Sequence, residues 1–252
     1  MDKSCREGNA NMISHTSSNE VMSVQQRHES TRNLVLSAAR ELREATMPFP
    51  SVEHLPWRNV RTPYRIFLAE LLLVRTRSDV VARVFEEIAL RYPDVLALAN
   101  ADQRELAASL EPLGLRKRAP FLPKAAQYIL EHHQGRIPEK VEELMKVPGL
   151  GLYTAAAVAA FAYGSSEVPA DVNILRFLSR LTGLPMKHPT KGSPELRALL
   201  PLLSREQGGP EPEKLLDFTR LICHARRPRC GECPLQDDCW YASLTSPDRE
   251  LP

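Results

Sequence analysis

The feature that most constrains this chain is a run of four cysteines crowded between positions 223 and 239. Cys223, Cys230, Cys233 and Cys239 follow the pattern C-x6-C-x2-C-x5-C, and the Arg, Pro and Gly residues between them suit a tight loop wrapped around a bound centre. Four thiolates hold either a zinc ion or an iron–sulfur cluster, and a CxxC pair says only that the centre is soft, so both stay open at this point. The other end of the chain argues against disulfides. Residues 1–28 are rich in Ser, Asn, Glu and Gln and lack the basic start and apolar stretch of a secretory signal. They read as a disordered leader, and a reducing, intracellular compartment is expected. Cys5, in that leader, reads as incidental.

The remainder reads as helix. Apolar residues recur at helical spacing over about Thr31 to Thr46, Tyr64 to Val74 and Asp79 to Arg91, with no hairpin of strands between them. Asp102 followed by Glu105 has the form of a helix start, and Ser193-Pro194-Glu195 supplies a cap, a proline at the first helical position and an acidic first turn. Twenty-one prolines point to many short helices separated by turns, so the fold class is all-α. At 252 residues there is room for one large or two modest domains. No stretch approaches the roughly 18 apolar residues of a membrane helix. The net charge of +2 does not announce a nucleic-acid partner, but the cations are grouped. Arg75 and Arg77 form one patch, Arg116, Lys117 and Arg118 a second, and Arg220, Arg226, Arg227 and Arg229 a third. Local patches decide phosphate binding, although solvated helix ends are the plain alternative for each. His132 and His133 read as surface residues of a helix.

A glycine turn is the next informative element. Leu144 to Ala155 joins a short helix to a small-residue helix running to about Tyr163, through Pro148-Gly149-Leu150-Gly151. Glycines at 149 and 151 let the backbone turn tightly and bring its N–H groups, with the positive end of the next helix, close to an anion such as a DNA phosphate. The alternative is that Gly149 merely ends a helix. A dinucleotide-binding loop is disfavoured, since no strand precedes the turn and no third glycine follows.

Two carboxylates stand out. Asp171 follows Val168-Pro169-Ala170 and opens a helix from Val172 to Leu181, where it would cap the helix or do chemistry. Glu70 has Ile66, Phe67, Leu73 and Val74 as its helical neighbours, none of which can pair with its charge. Either it points to solvent at the helix edge or its pKa is raised, as suits a group that donates a proton or a hydrogen bond.

The segment Val147-Pro148-Gly149-Leu150-Gly151-Leu152-Tyr153-Thr154 resembles the helix-hairpin-helix of the DNA glycosylase superfamily that includes endonuclease III and the adenine and thymine mismatch glycosylases. Leu55-Pro56-Trp57-Arg58, Thr62-Pro63-Tyr64, Ala69 to Leu73, Pro112 to Leu115, Asp171-Val172-Asn173 and the cysteine spacing follow that family in order, over roughly residues 55 to 240. The resemblance implies a two-domain fold with an iron–sulfur cluster loop. A six-helix domain would span 56–165, and a second domain would combine 29–55 with 166–252. It also implies a [4Fe–4S] cluster on the four cysteines, double-stranded DNA with a mismatched or damaged base as partner, a monomer, and a cytoplasmic place at the nucleoid.

Residue by residue, Asp171 matches the family's catalytic aspartate, which stabilises positive charge on the sugar as the base departs. Glu70 matches the glutamate that adenine-removing relatives use as general acid and thymine-removing relatives use for base recognition. Gly149, Leu150, Gly151 and Thr154 would hold DNA at the hairpin, and Arg226 on the cluster loop would hold a phosphate. Tyr153 occupies the position where strand-cutting relatives carry a Schiff-base lysine, which implies base removal without efficient strand cleavage. Arg75 and Thr76 replace the Gln-rich segment of adenine glycosylases, and Arg75 would fill the gap left by the base, read the orphan guanine or touch a phosphate. The chain ends at Pro252, without the extra C-terminal domain with which adenine glycosylases recognise oxoguanine. The expected activity is therefore removal of thymine or uracil opposite guanine. Adenine opposite guanine or oxoguanine is the second reading, and a non-catalytic module recognising distorted duplex is the third.

Overall fold

The computed structural model describes residues 23–46, 55–74, 76–188 and 191–245. Among the described residues there is no strand. The helices are α1 (Val24–Glu44), α2 (Pro56–Asn59), α3 (Pro63–Leu72), α4 (Ser78–Arg91), α5 (Val95–Ala99), α6 (Gln103–Ser109), α7 (Phe121–His133), α8 (Val141–Leu144), α9 (Leu152–Tyr163), α10 (Val172–Thr182), α11 (Pro194–Leu199), α12 (Pro212–Leu221) and α13 (Trp240–Thr245). The fold is all-α, as the periodicity requires. No helix among the described residues is long and apolar enough to cross a membrane.

The helix starts follow local chemistry. Asp102 accepts hydrogen bonds from the Arg104 and Glu105 amides, Ser193 accepts one from Leu196, and prolines take the first helical positions of α2, α3, α11 and α12. One start differs from expectation. Ser23 and Gln26 form a reciprocal capping box, so α1 begins at Val24 and takes in residues that the composition assigned to the leader. Polar composition hid this start because Gln25 to Ser30 are all exposed, leaving no apolar period to detect.

Two apolar clusters form behind these helices. In the first, Phe67, Leu68, Leu71 and Leu72 of α3 meet Phe85 and Ile88 of α4, Ile129 of α7, and Ala155, Val158 and Ala159 of α9. Thr154 to Ala160 of α9 are all buried, and their small side chains let α3 pack closely against that helix. The second cluster draws on both ends of the chain. Val35, Ala38, Ala39 and Leu42 give α1 one apolar stripe, which packs with Ile174, Leu178 and Leu181 of α10 and with Phe218 of α12. Phe177 and Phe218 meet edge to face there, at 5.3 Å between centroids. Each fully buried Leu or Phe contributes about 1.5–3 kcal/mol, which is what holds such short helices in place. His132 is on the surface as expected, stacked on Tyr128 at 4.1 Å. His133 is partly buried: its Nε2 makes no hydrogen bond and lies 3.9 Å from Glu143 Oε2.

Candidate functional site

Residues from both clusters close around a cavity of about 640 Å³. Glu70 of α3, Tyr153 and Thr154 of α9, Asp171 at the start of α10 and Asp217 of α12 all line it, together with Gly149, Gly151 and Thr76. The structure therefore brings together most of the residues that the sequence singled out. Arg75 lies outside the described residues. Arg226 is exposed on the loop between Cys223 and Cys230 and is not among the cavity's lining residues.

Glu70 is buried rather than pointing to solvent, and its Oε2 has no hydrogen-bond partner. Desolvation pushes its pKa up to about 8, against the opposing pull of the Arg58 charge, so the group is mostly protonated at neutral pH. A neutral carboxyl inside the cavity both donates and accepts a hydrogen bond.

Asp171 caps α10 and faces the cavity at once. Its Oδ1 accepts the Asn173 and Ile174 amides, each at 2.8 Å, and its Oδ2 accepts the Asn173 side-chain amide. Burial raises its pKa, and these three donors with the Arg176 charge work against that rise. Asn173 is fixed in turn by Arg176, whose Nη1 donates to Asn173 Oδ1 at 2.9 Å. The Nη2 of Arg176 donates to the carbonyls of Thr219 and Cys223. The Tyr153 phenol is pushed well above its ordinary pKa by burial and by the charges of Glu70 and Asp171, so it is neutral.

The hairpin opens onto the same cavity. Gly149 has φ 87°, a left-handed conformation that glycine adopts freely, and a Cβ at either Gly149 or Gly151 would meet nothing within 4 Å. The backbone face there is open, and no side chain caps the first turn of α9. Leu150 departs from expectation: its side chain is buried in the first cluster and its N–H donates to the Val147 carbonyl. It anchors the turn, and the glycines on either side present the backbone.

Sequence reasoning missed a second buried acid. Asp217 holds Arg58 by two hydrogen bonds, 2.7 Å from Nη1 and 3.2 Å from Nη2, and lies 3.6 Å from Arg220. Arg220 also donates to Ser78 Oγ at 2.6 Å. The signal that picked out Glu70 is missing here: Lys214 and Arg220 lie three positions away on the same helix, so from the sequence Asp217 reads as an ordinary paired surface charge.

The four cysteines line a separate cavity with Phe177, Arg180, Phe218 and Tyr241. Burial raises the pKa of Cys230, Cys239 and Cys233, the last to about 12, with the neighbouring thiols adding to the shift. Such a set of partly buried, mutually repelling sulfurs suits a cationic centre that draws their charge. Four thiols lining one cavity supply the full ligand set of an iron–sulfur cluster. Arg180 ties the loop down through Cys223 Sγ at 3.4 Å and the His224 and Ala225 carbonyls, with its guanidinium over the Tyr241 ring. When bound, the cluster supplies the covalent staple that orders this loop.

The cavity between the two clusters thus holds a neutral acid, a capped aspartate and an open glycine hairpin, and the family match says what class of enzyme carries them. Residues 68–201 match the family described as HhH-GPD superfamily base excision DNA repair protein, and residues 223–239 match the iron–sulfur binding domain of endonuclease III. The chain belongs to the HhH-GPD superfamily; it is a base-excision DNA glycosylase with a [4Fe–4S] cluster. It is 38% identical over 195 residues to a thymine-DNA glycosylase of Aeropyrum pernix, covering 74% of this chain and 86% of that one. It is 31% identical over 217 residues to an adenine DNA glycosylase of Mycobacterium tuberculosis, covering 85% of this chain and 68% of the other. Among solved structures, a thermostable thymine-DNA glycosylase superposes with a TM-score of 0.67 at 24% identity, over 87% of this chain and 98% of that one. A trapped endonuclease III–DNA covalent intermediate gives 0.66 at 23% identity, over 86% and 97%.

Proposed function

We propose that the chain removes thymine or uracil mispaired with guanine, acting as a monomer and leaving an abasic site with the strand uncut. The observation that carries this reading is Tyr153, a phenol on the cavity wall that burial keeps neutral. A phenol cannot form a Schiff base with the sugar, so hydrolysis by water is the remaining route. The named thymine-DNA glycosylase of A. pernix and the thymine/uracil-DNA glycosylase of Pyrobaculum aerophilum, 33% identical over 192 residues, support the choice of base.

In this reading the cavity lies between a domain of residues 56–165 and a second made of 29–55 with 166–252. The amides around Gly149 and Gly151 and the uncapped start of α9, Thr154 included, grip the lesion strand, while Thr76 and Arg75 border the gap and Arg226 holds a phosphate. Water adds to C1′ as the glycosidic bond breaks. The Asp171 carboxylate stabilises the oxocarbenium-like sugar and takes the water's proton. The neutral Glu70 donates a hydrogen bond to a carbonyl of the departing pyrimidine, which leaves carrying negative charge. A mismatched base costs less to extrude, which supplies part of the selectivity.

A second reading, adenine removal, is favoured by one observation: a carboxyl protonated up to about pH 8 also suits protonation of a purine nitrogen. Base release is to be measured on duplexes containing T·G, U·G, A·G and A·oxoguanine, each with and without alkali. Alkali-dependent cleavage of the T·G or U·G strand is expected; release from the adenine duplexes alone would reject the proposal in favour of the second reading. Asp171→Asn keeps the Oδ1 that caps α10, so the fold and DNA affinity are expected to survive while turnover falls about a hundredfold or more. Turnover within a few-fold of the parent would remove Asp171 from the mechanism.

A further inference from the structure

Tyr153, a wall of the base cavity, is also a wall of a second cavity of about 560 Å³, which base removal itself does not use. It is the one residue common to both linings. The second cavity lies beyond it, between the first turns of α9, the 166–170 link that leads into Asp171, and the stretch from Lys191 to Gln207 that carries α11. Its volume is that of an ordinary small-molecule site.

The lining restricts what can bind there. Leu152, Ala156, Val168 and Leu200 supply apolar surface, and Leu152 is half exposed. The charges balance: Lys191 and Arg197 stand against Glu167 and Glu206, all four exposed, so the cavity as a whole concentrates neither phosphates nor cations. Arg197 is also engaged, its Nη1 donating to the Lys191 carbonyl at 3.1 Å. Ser204 is the buried polar group, 6% exposed, and among the described residues its hydroxyl makes no hydrogen bond. It is free to bond a ligand, and the exposed Gln207 adds a side-chain amide. Apolar surface, balanced charge, an unmatched hydroxyl and an amide suit a flat, uncharged ring edged with carbonyl and N–H groups, which is the chemistry of a nucleobase.

We propose that this second cavity receives the excised base. This rests on the glycosylase reading above. Once the glycosidic bond is cut, the abasic strand still lies on the hairpin at Gly149–Gly151 and covers the mouth of the base cavity, which confines the freed base until the DNA leaves. Tyr153 is the partition between the two spaces, and a turn of that one side chain about its Cα–Cβ bond joins them. The proton that Asp171 takes from water ends on the leaving base, so the species that moves is the neutral ring. It passes from Glu70 to the apolar surface at Leu152 and Leu200, where Ser204 and Gln207 bond its carbonyl and N–H edge. It then leaves over the exposed rim without waiting for the DNA.

The test adds free thymine or uracil to the full-length protein, with its cluster, and reads two quantities: inhibition of base release from T·G and U·G duplexes, and binding of the free base to protein saturated with a duplex carrying a stable abasic analogue. DNA and the freed base occupy different places, so the base is expected to lower kcat, to leave KM for the duplex unchanged, and to bind the abasic complex. Ser204→Ala/Gln207→Ala removes both hydrogen-bonding groups, and the affinity for the free base should fall about three- to tenfold for each bond lost. Single-turnover base release should stay at the parent rate in that variant, which also shows that it is folded. Glu70→Gln should leave the affinity of the free base for the abasic complex unchanged. Inhibition that raises KM alone, or an affinity that drops in Glu70→Gln and not in the double variant, would place the free base in the base cavity and overturn the proposal. A free base that neither inhibits nor binds would overturn it as well. Adenine is assayed in parallel: a parent protein that releases adenine and binds free adenine in the expected manner rejects the pyrimidine reading and keeps this one.

Discussion

At the scale of single residues, the most consequential group is Glu70, because its protonation ties stability to activity. In the folded chain it keeps a proton up to about pH 8, whereas an unperturbed glutamate releases it at 4.5. The folded state therefore binds more protons than the unfolded one between those values. The stability linked to this difference is complete below about pH 4.5 and is lost as pH rises through about 8. Glu70→Gln, which keeps the shape and never ionises, is expected to leave thermal stability almost unchanged at pH 5 and to raise it at pH 9, by an amount on the order of a few kcal/mol. Thermal unfolding at the two pH values measures this directly. If the neutral acid assists base departure, the rate of base release should fall on the alkaline side of about pH 8, and that limb should vanish in the variant. A stabilisation equal at both pH values would mean that Glu70 titrates in the ordinary range.

At the scale of elements, the hairpin glycines separate backbone strain from DNA binding. Gly149 has φ 87°, so Gly149→Ala forces a left-handed alanine at a cost of about 1–2 kcal/mol, although its Cβ meets nothing in the protein. Gly151 has φ −99°, an ordinary value, and its added Cβ also enters open space. Gly151→Ala is therefore expected to lower stability by only a few tenths of a kcal/mol, while both variants weaken DNA binding by placing a methyl group where a phosphate approaches. Equilibrium unfolding with DNA titration separates the two effects; unimpaired binding by both variants would show that the hairpin does not touch DNA. The same contrast explains what is legible in the sequence. Helix starts at Asp102, Asp171 and Ser193 depend on bonds to amides two or three residues away, so the sequence alone reveals them. The oddness of Glu70 is visible for the same reason, since a helix brings its neighbours from within four residues. Leu150 is less legible, because the sequence shows that it lies in the turn but not which way the turn buries it. Arg58 enters the sequence reading only as part of a motif, and Asp217 does not enter it at all. Their pairing spans 159 positions, and no local pattern encodes which distant helix a charge will meet.

Across the whole molecule, the Arg58–Asp217 pair has two effects. It joins α2, packed on the first cluster, to α12 of the second, and it sets the charge that Glu70 feels. Removing one partner leaves a charge stranded in a mostly buried place. Arg58→Gln and Asp217→Asn are each expected to lower stability by about 3 kcal/mol, while a paired apolar replacement, Arg58→Met/Asp217→Leu, recovers much of the loss. The two single variants should then differ at Glu70. Arg58 opposes the rise in the Glu70 pKa, so Arg58→Gln moves the alkaline limb of base release above about pH 8, whereas Asp217→Asn keeps that cation and leaves the limb in place or lowers it. A pH–rate profile for each variant, alongside urea unfolding, distinguishes a bridge that only holds the two clusters together from one that also tunes the acid in the cavity. Equal stability losses with unmoved limbs would confine the pair to the first role.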